Sequence, residues 1–325
     1  MGKRVLIVGS NGLLGQKVTD LLLRGSAYTV SLASKAEKPI REVGATQYMA
    51  MDITSRKDVK HVIFLCEPDI IINAAAMTNV DACEKERELA WRINVGGVQN
   101  IIEAARKNDA EIVHISTDYV FNGKAGPYEE NEQPDPLNYY GRSKLASENE
   151  LRTSGLNHCI IRTMVLYGFA QGVKSNFALW LIQNLEKKLA VRVVNDQYGN
   201  PTLADDLAHG IMSALELGRS GIYNIAGREI ISRHEFAVRL AEVFGFDSAL
   251  IIPVKTSDVR QPAARPLKSG LITLKAEVEL GIKPSTVEQG VTVLKSQMSR
   301  NAKKVPDSAP VPGSSSSRKS SLGKY

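Results

Sequence analysis

Cysteine is scarce in this chain, and long apolar runs are missing. Only Cys66, Cys83 and Cys159 occur. Three thiols cannot all pair with one another, and their spacing suits no metal set, so a disulfide scaffold and a zinc module are excluded and no metal is expected. Cys159 opens an apolar strand and reads as core. A reducing, cytoplasmic setting is the expectation. No apolar stretch approaches the ~20 residues that span a bilayer, so no membrane partner is expected. The VLIV run near the N-terminus is too short for a signal-peptide core. Leu6, where Ser or Thr would be needed, excludes a myristoylation motif. There is no internal repeat.

Excess charge is also lacking once its position is considered. The 325 residues carry a formal +6. Residues 300–325 hold Arg300, Lys303, Lys304, Arg318, Lys319 and Lys324 against the single acid Asp307, which accounts for +5 of that total. The remainder is close to neutral and has no nucleic-acid footprint. This Pro- and Ser-rich terminal segment has almost no large apolar side chains, so it is expected to be a disordered basic tail.

What is present begins at residue 3. KRVLIVG (3–9) contains an unbroken apolar run, as expected of a strand buried on both faces of a parallel sheet. Gly9-Ser10-Asn11-Gly12-Leu13-Leu14-Gly15 follows, and Leu14, Val18, Leu21 and Leu22 then recur at helical spacing before Gly25. Strand, glycine turn and helix in this order form a nucleotide site, because the turn brings backbone close to a pyrophosphate at a helix N-terminus. The spacing is G-x-x-G-x-x-G, where G-x-G-x-x-G is usual.

The second strand, YTVSLAS (28–34), ends without the Asp or Glu that an NAD site places against the ribose. Ser34 and Lys35 stand there instead. A hydroxyl and a cation suit a 2′-phosphate, so NADPH is favoured, with NADH as the alternative; solvated surface is the other reading of Lys35. Asp52, followed by Ile53, either accepts the adenine amino group or caps a helix starting near Thr54. Ala74, Ala75 and Ala76 close the fourth strand and allow either a cofactor or a helix to approach the backbone. Asn94, on an otherwise apolar helix, is a buried structural hydrogen-bonder or part of a proton relay, with the structural role the better supported.

The chemistry resides further on. HISTDYVF (114–121) ends a strand at Thr117, and YYGRSK (139–144) follows a polar loop. Tyr140 and Lys144, at i and i+4, share one face of a helix. An ammonium near a phenol favours the phenolate and lowers the Tyr pKa from ~10, making it a usable acid or base. Such a pair is often plain helix surface; its weight comes from the nucleotide site before it and from Thr117.

Strands are expected near 4–9, 28–34, 46–52, 69–74, 111–116 and 159–165, alternating with helices. That pattern is α/β, a doubly wound parallel sheet of the Rossmann type, over residues 1–168. Residues 169–299, with helices at 175–188, 204–217, 232–244 and 286–299, are expected to form a smaller substrate-binding lobe. The 204–217 helix should return to the sheet. Ser232-x-x-Glu235 and Ser285-x-x-Glu288 read as capping boxes.

Taken together, GSNGLLG (9–15), NAAAMTNVDACE (73–84), STDYVFNG (116–123), PYEENEQPDPLNYYGRSKLASE (127–148), RTMVLYG (162–168), NDQYGNPT (195–202), GIYNIAG (221–227) and ARPLKSGL (264–271) resemble an extended short-chain dehydrogenase/reductase. Within that class they resemble the dTDP-4-dehydrorhamnose reductase family. The resemblance covers most of residues 1–299. It implies Thr117, Tyr140 and Lys144 as catalytic residues in reducing the C4 ketone of a nucleotide-linked 6-deoxy-4-keto sugar. Tyr140 would supply the proton, Thr117 would orient the keto oxygen, and Lys144 would lower the Tyr140 pKa and bond the nicotinamide ribose.

The same resemblance places the cofactor on Gly9, Asn11, Gly12, Leu13, Leu14, Gly15, Ser34, Lys35, Asp52, Ile53, Ala74, Ala75, Ala76, Tyr140 and Lys144. It places the sugar nucleotide on Thr78, Val80, Thr117, Asp118, Val165, Gln197, Asn200 and Arg265, with Thr202 near the junction between domains. For Arg265, a substrate phosphate and a surface salt bridge are equally supported. The sequence departs from the family at Val165, where many members have Trp, and at Met77, where Tyr is common. The first departure puts the exact sugar in doubt, so another nucleotide keto sugar is an alternative substrate. A non-catalytic role like that of the regulatory subunit of methionine adenosyltransferase is a second alternative, against which the intact trio argues. A homodimer is compatible with this reading.

Overall fold

Val5, Leu6, Ile7 and Val8 are all buried, so the first strand is covered on both faces, as its unbroken apolar run demands. The structure, a computed structural model, describes residues 2–25 and 27–302. Strands β1 (Lys3–Val8), β2 (Tyr28–Ser34), β3 (Gln47–Ala50), β4 (Ile70–Asn73), β5 (Glu111–Thr117) and β6 (His158–Thr163) form one sheet with the strand Gly221–Asn224. The spatial order is Gly221–Asn224, β6, β5, β4, β1, β2, β3, with every neighbouring pair parallel. The order reverses between β1 and β4, which opens a crevice beyond their C-terminal ends, where open α/β sheets bind ligands.

Helices cover both faces. They are α1 (Leu13–Arg24), α2 (Arg56–Cys66), α3 (Val80–Lys85), α4 (Arg87–Trp91), α5 (Gly97–Ala105), α6 (Tyr139–Arg152), α7 (Phe177–Glu186), α8 (Ala204–Glu216), α9 (Arg233–Phe244), α10 (Leu274–Leu280) and α11 (Val287–Ala302). Leu14, Val18 and Leu22 of α1 and Leu207, Ile211 and Leu215 of α8 pack on Val5, Ile7 and Ile72. Val59 and Ile63 of α2 and Val98 and Ile101 of α5 pack on Leu6, Val8 and Ile71 across the sheet. Thus α8 returns to the sheet. Cys159 lies in the first of these cores, and the thiols of Cys66, Cys83 and Cys159 are free and buried.

A separate core joins α7, α9 and α11 around Phe236, Leu240, Val291 and Leu294. It is flanked by the parallel pair Val191–Val194 and Ile251–Val254. The two expected caps fare differently. Ser232 Oγ accepts from Glu235 N at 3.0 Å and starts α9, but the box is only half made, because the Glu235 carboxylate turns to Arg239 at 2.6 Å. At α11 the box is shifted by one residue, with Gln289 Oε1 accepting from Thr286 N at 3.0 Å and Thr286 Oγ1 accepting from Gln289 N at 3.3 Å. Ser285 is drawn away because its N–H donates to Asp206 at 2.8 Å. Helix α11 runs through Ala302, so residues 300–302 belong to it and not to a tail; the tail expected beyond them lies outside the described residues.

Candidate active site

The glycine turn is shaped by close contacts. Gly9 has φ +85°, and a Cβ there would stand 2.8 Å from Ala75 N, so the turn lies against the Ala74–Ala75 backbone. A Cβ on Gly15 would stand 2.3 Å from Gly9 O. Gly12 N donates to Gly9 O at 3.0 Å and caps α1 without a side-chain hydrogen bond. Uncapped amides at a helix start, with no acid in the first turn, fit an anionic pyrophosphate. Leu14 is core, while Leu13 is only half-buried and faces Gly168.

Asn11 has a second task. Its side chain donates to Lys38 O and Tyr48 Oη at 3.2 Å and accepts from Ile40 N at 3.1 Å, which fixes the loop after β2. At that loop Ser34 Oγ meets Tyr48 Oη at 2.8 Å, and Lys35 Nζ pairs with Asp52 at 2.8 Å. Burial raises the Asp52 carboxyl, but hydrogen bonds from Lys35 and Thr54 outweigh it and hold the group below its ordinary value. Asp52 caps the Thr54 turn (Thr54 N to Oδ1, 2.9 Å), whereas Ser55 caps α2 itself. Ile53 is buried against Gly97, and its carbonyl accepts from Asn100 at 2.9 Å.

Thr117 and Tyr140 converge. The Thr117 hydroxyl donates to Asp118 Oδ1 at 3.1 Å and acts to lower the Tyr140 phenol. Tyr140 packs edge-on to Tyr119, with centroids 5.7 Å apart, in a small cluster with Cys83, Val80 and Met77. Asn138 caps α6 through Gly141 N at 2.9 Å, which fixes where Tyr140 projects.

One electrostatic expectation is overturned. Burial pushes the Tyr140 phenol above its ordinary value, and the nearby Thr117 hydroxyl recovers only part of this. Lys144 does not reverse the shift, because its Nζ bonds His114 Nε2 at 3.0 Å and is itself desolvated, which lowers it to about 8. Asp118 is raised by burial to about 6, partly opposed by donors from Ser269 (2.5 Å) and Thr117.

A cleft beside Asp118 is lined by Val165, Gln197, Tyr198, Arg233 and Ser269. Val165 has φ +44°, a costly conformation for a β-branched residue. Gln197 is held by Thr256 Oγ1 at 3.1 Å and Gln261 Oε1 at 3.2 Å. Thr78 is exposed. Asn200 is not available to a ligand: its amide donates to Gly227 O at 2.8 Å and accepts from Leu271 N at 2.9 Å, and the residue is buried, so it ties backbone segments together. Arg265 pairs with Asp81 at 2.9 Å and donates to Ala263 O at 2.8 Å, a salt bridge that is largely buried and not a surface one. Asn94 is structural: it brackets Met77 N and O at 2.8 and 3.2 Å and reaches Ser143 Oγ at 2.9 Å. Thr202 is buried and supports the Gly227 backbone.

Sequence reasoning missed His114, Glu148, Arg162, Tyr198 and Arg233. Two of these had a signal. Glu148 lies one turn beyond Lys144 on the same face of α6, and Arg162 interrupts an apolar strand, where a charge needs a partner. They find each other: Arg162 Nη2 meets Glu148 Oε2 at 2.7 Å, both side chains at most 1% exposed.

A parallel sheet with a glycine turn at its switch point, and a Thr–Tyr pair with a Lys on the same helix, define an NAD(P)-linked oxidoreductase of the short-chain dehydrogenase/reductase type. More specifically, residues 3–299 match the family described as RmlD substrate binding domain, and the chain belongs to that family. Spore coat polysaccharide biosynthesis protein SpsK of Bacillus subtilis is 35% identical over 283 residues, 86% of this chain and 93% of that protein. The dTDP-4-dehydrorhamnose reductase of Aggregatibacter actinomycetemcomitans is 34% identical over 299 residues, 87% of this chain and 95% of that one. Among solved structures, the dTDP-4-dehydrorhamnose reductase of Bacillus anthracis in complex with NADP superposes with a TM-score of 0.82 at 31% identity, covering 91% of this chain and 100% of that one.

Proposed function

We propose that this protein reduces the C4 ketone of a nucleotide-linked 6-deoxy-4-keto sugar, with dTDP-4-dehydrorhamnose as the first substrate to test and NADPH as the favoured reductant. The observation that carries the reading is that Thr117, bonded to Asp118, and Tyr140, packed on Tyr119, both stand behind the cleft that Asp118 and Tyr119 line with Val165 and Gln197. The likeness to reductases of that name, one of them NADP-bound, supports both substrate class and cofactor.

The glycine turn and the start of α1 would hold the pyrophosphate, and Ser34, Lys35 and the Tyr48 hydroxyl would flank the adenosine ribose. The bound nicotinamide supplies a hydride. A ketone that gains hydride becomes an alkoxide and needs a proton. Tyr140, whose phenol burial keeps protonated at neutral pH, is suited to give it. Thr117 would turn its hydroxyl from Asp118 to the same oxygen and so stabilise charge where it develops. Tyr119, Cys83 and Val80 keep water from the phenol.

The test is NADPH oxidation with freshly prepared dTDP-4-dehydrorhamnose, repeated with NADH. Oxidation dependent on the sugar supports the reading. An inert wild-type protein that binds a partner enzyme tightly would instead favour a regulatory role. Val165, in its left-handed conformation beside the 44% exposed Tyr198, favours a second reading in which a different nucleotide keto sugar fits this wall. A substrate panel separates the two: the rhamnose precursor would stay inert while another 4-keto sugar turns over.

A further inference from the structure

Lys144 is fully buried, and its nitrogen is bonded to an imidazole from β5. His114, itself 1% exposed, is surrounded by donors. Its Nδ1 lies 3.3 Å from Asn73 Nδ2, and its Nε2 lies 3.0 Å from both Ser147 Oγ and Lys144 Nζ. A neutral imidazole has one donor and one acceptor. The Asn73 amide is oriented by Ala75 N, which donates to Asn73 Oδ1 at 3.2 Å, so its NH2 faces Nδ1 and makes that nitrogen the acceptor. The ring proton then sits on Nε2. Ser147 commits its own proton to Lys144 O at 2.7 Å and so offers Nε2–H a lone pair. An ammonium on Lys144 would confront Nε2–H donor to donor, whereas a neutral amine would accept from it.

We propose that His114 is a positioning residue for Lys144: at alkaline pH its Nε2–H holds the Lys144 nitrogen by that nitrogen's lone pair, so there Lys144 must gain a proton to serve as an ammonium at the cofactor site. The inference rests on the reading of Lys144 as a cofactor-contacting residue. Desolvation of Lys144, which lowers it to about 8, agrees with the geometry. Burial also lowers His114 well below its ordinary value, so the ring stays neutral. The other charges around this site do not undo the arrangement. Glu148, on the same helix, raises Lys144 but is already bound by Arg162 of β6 and Ser116 of β5. Asp118, Tyr119 and Cys83 face Tyr140. The chain of groups ends at the Asn73 amide, which cannot relay a proton, so the cluster acts as a clamp and not as a wire to solvent.

The test is calorimetry of NADPH binding to the full chain, without sugar, in buffers of different ionisation enthalpy. Wild-type protein is expected to take up about one proton per NADPH near pH 9 and almost none near pH 6.5. His114→Gln can turn a carbonyl oxygen to the nitrogen and admit an ammonium beforehand, so uptake at pH 9 should fall to less than about half. Ser147→Ala removes the competing acceptor, so the uptake window should extend downward by about one pH unit. A merely structural role would lower the melting temperature of both variants and move neither window. Uptake unchanged in His114→Gln, or absent from the wild type, overturns the proposal. If His114→Gln does not fold, an unmoved window in Ser147→Ala overturns it equally. Sugar reduction without proton uptake sinks this inference alone, and uptake without reduction of any keto sugar sinks only the proposed reaction.

Discussion

The two ends of the candidate site are made of different material. The cofactor end is backbone: Gly9, Gly12 and Gly15 fold a turn so tight that a Cβ on Gly9 or Gly15 would collide with an amide or a carbonyl, and one on Gly12 would stand 3.2 Å from Gly9 O. The chemical end is made of side chains from separate segments, with Thr117 from β5, Tyr140 and Lys144 from α6, and Val165, Gln197 and Arg233 from beyond the sheet. A backbone site depends on residues being absent at fixed positions. A side-chain site depends on burial, which changes the protonation of whatever is placed there. Tyr140 and Lys144 show the difference, since burial moves both away from their solution behaviour before any ligand arrives.

The largest effect should fall at the chemical end. Tyr140→Phe removes the proton donor and keeps the ring in its cluster. Turnover should drop by about 10²–10⁴-fold with NADPH affinity nearly unchanged. Steady-state kinetics beside a fluorescence titration reads both, and a variant that turns over like the wild type would remove Tyr140 from its role.

A comparable loss, in stability, is expected from Arg162→Met. It leaves Glu148 charged, 0% exposed and without its bidentate partner. Urea unfolding should show a loss of about 3–5 kcal/mol. Removing both charges with Arg162→Met and Glu148→Leu should recover most of it. Equal losses in the single and double variants would mean that packing, not the orphaned charge, sets the effect.

The difference between the ends also explains what the sequence makes legible. Six strands of the sheet and the glycine turn follow from local pattern, because β1 is an unbroken apolar run and a backbone turn needs glycine at set intervals; the seventh strand, Gly221–Asn224, comes from the stretch expected in the substrate lobe and is placed only by its pairing with β6. Tyr140 and Lys144 on one helical face are readable for the same reason. The direction of the Lys144 nitrogen is not, because it depends on His114 and Asn73 from two other strands. Asn200 and Arg265 show the same limit. Their residue types suit a ligand, yet Leu271, Gly227 and Asp81 take up their polar atoms, and none of these partners is near in sequence.

The third expected effect depends on pH. Burial raises the Asp118 carboxyl from 3.8 to about 6. The folded state therefore holds this proton more tightly than the unfolded chain. Its contribution to stability is complete below pH 3.8 and is lost as pH rises through about 6. Asp118→Asn has no such loss. Its stability relative to wild type should rise by roughly 2.4 kcal/mol between pH 4 and pH 8, with little change above that. Urea unfolding at several pH values measures the gap, and a gap that does not change with pH would show that Ser269 and Thr117 offset the burial completely.

The smallest expected effect tests the backbone end. In Gly15→Ala the new methyl would stand 2.3 Å from Gly9 O and 2.7 Å from Ser10 Cα. Neither contact is with a flexible side chain, so α1 must shift away from the turn. Such overpacking costs about 1–3 kcal/mol of stability. The shift also moves the α1 amides from where the turn aims them, so NADPH affinity should fall by about tenfold or more. Tyr140 is on another helix, and its packing against Tyr119 is untouched. At saturating NADPH the turnover number should therefore stay within a few-fold of wild type. Binding lost at one end with chemistry kept at the other would show that the two materials act separately. A turnover number that falls with the affinity would instead mean that the glycine turn also positions the reacting groups.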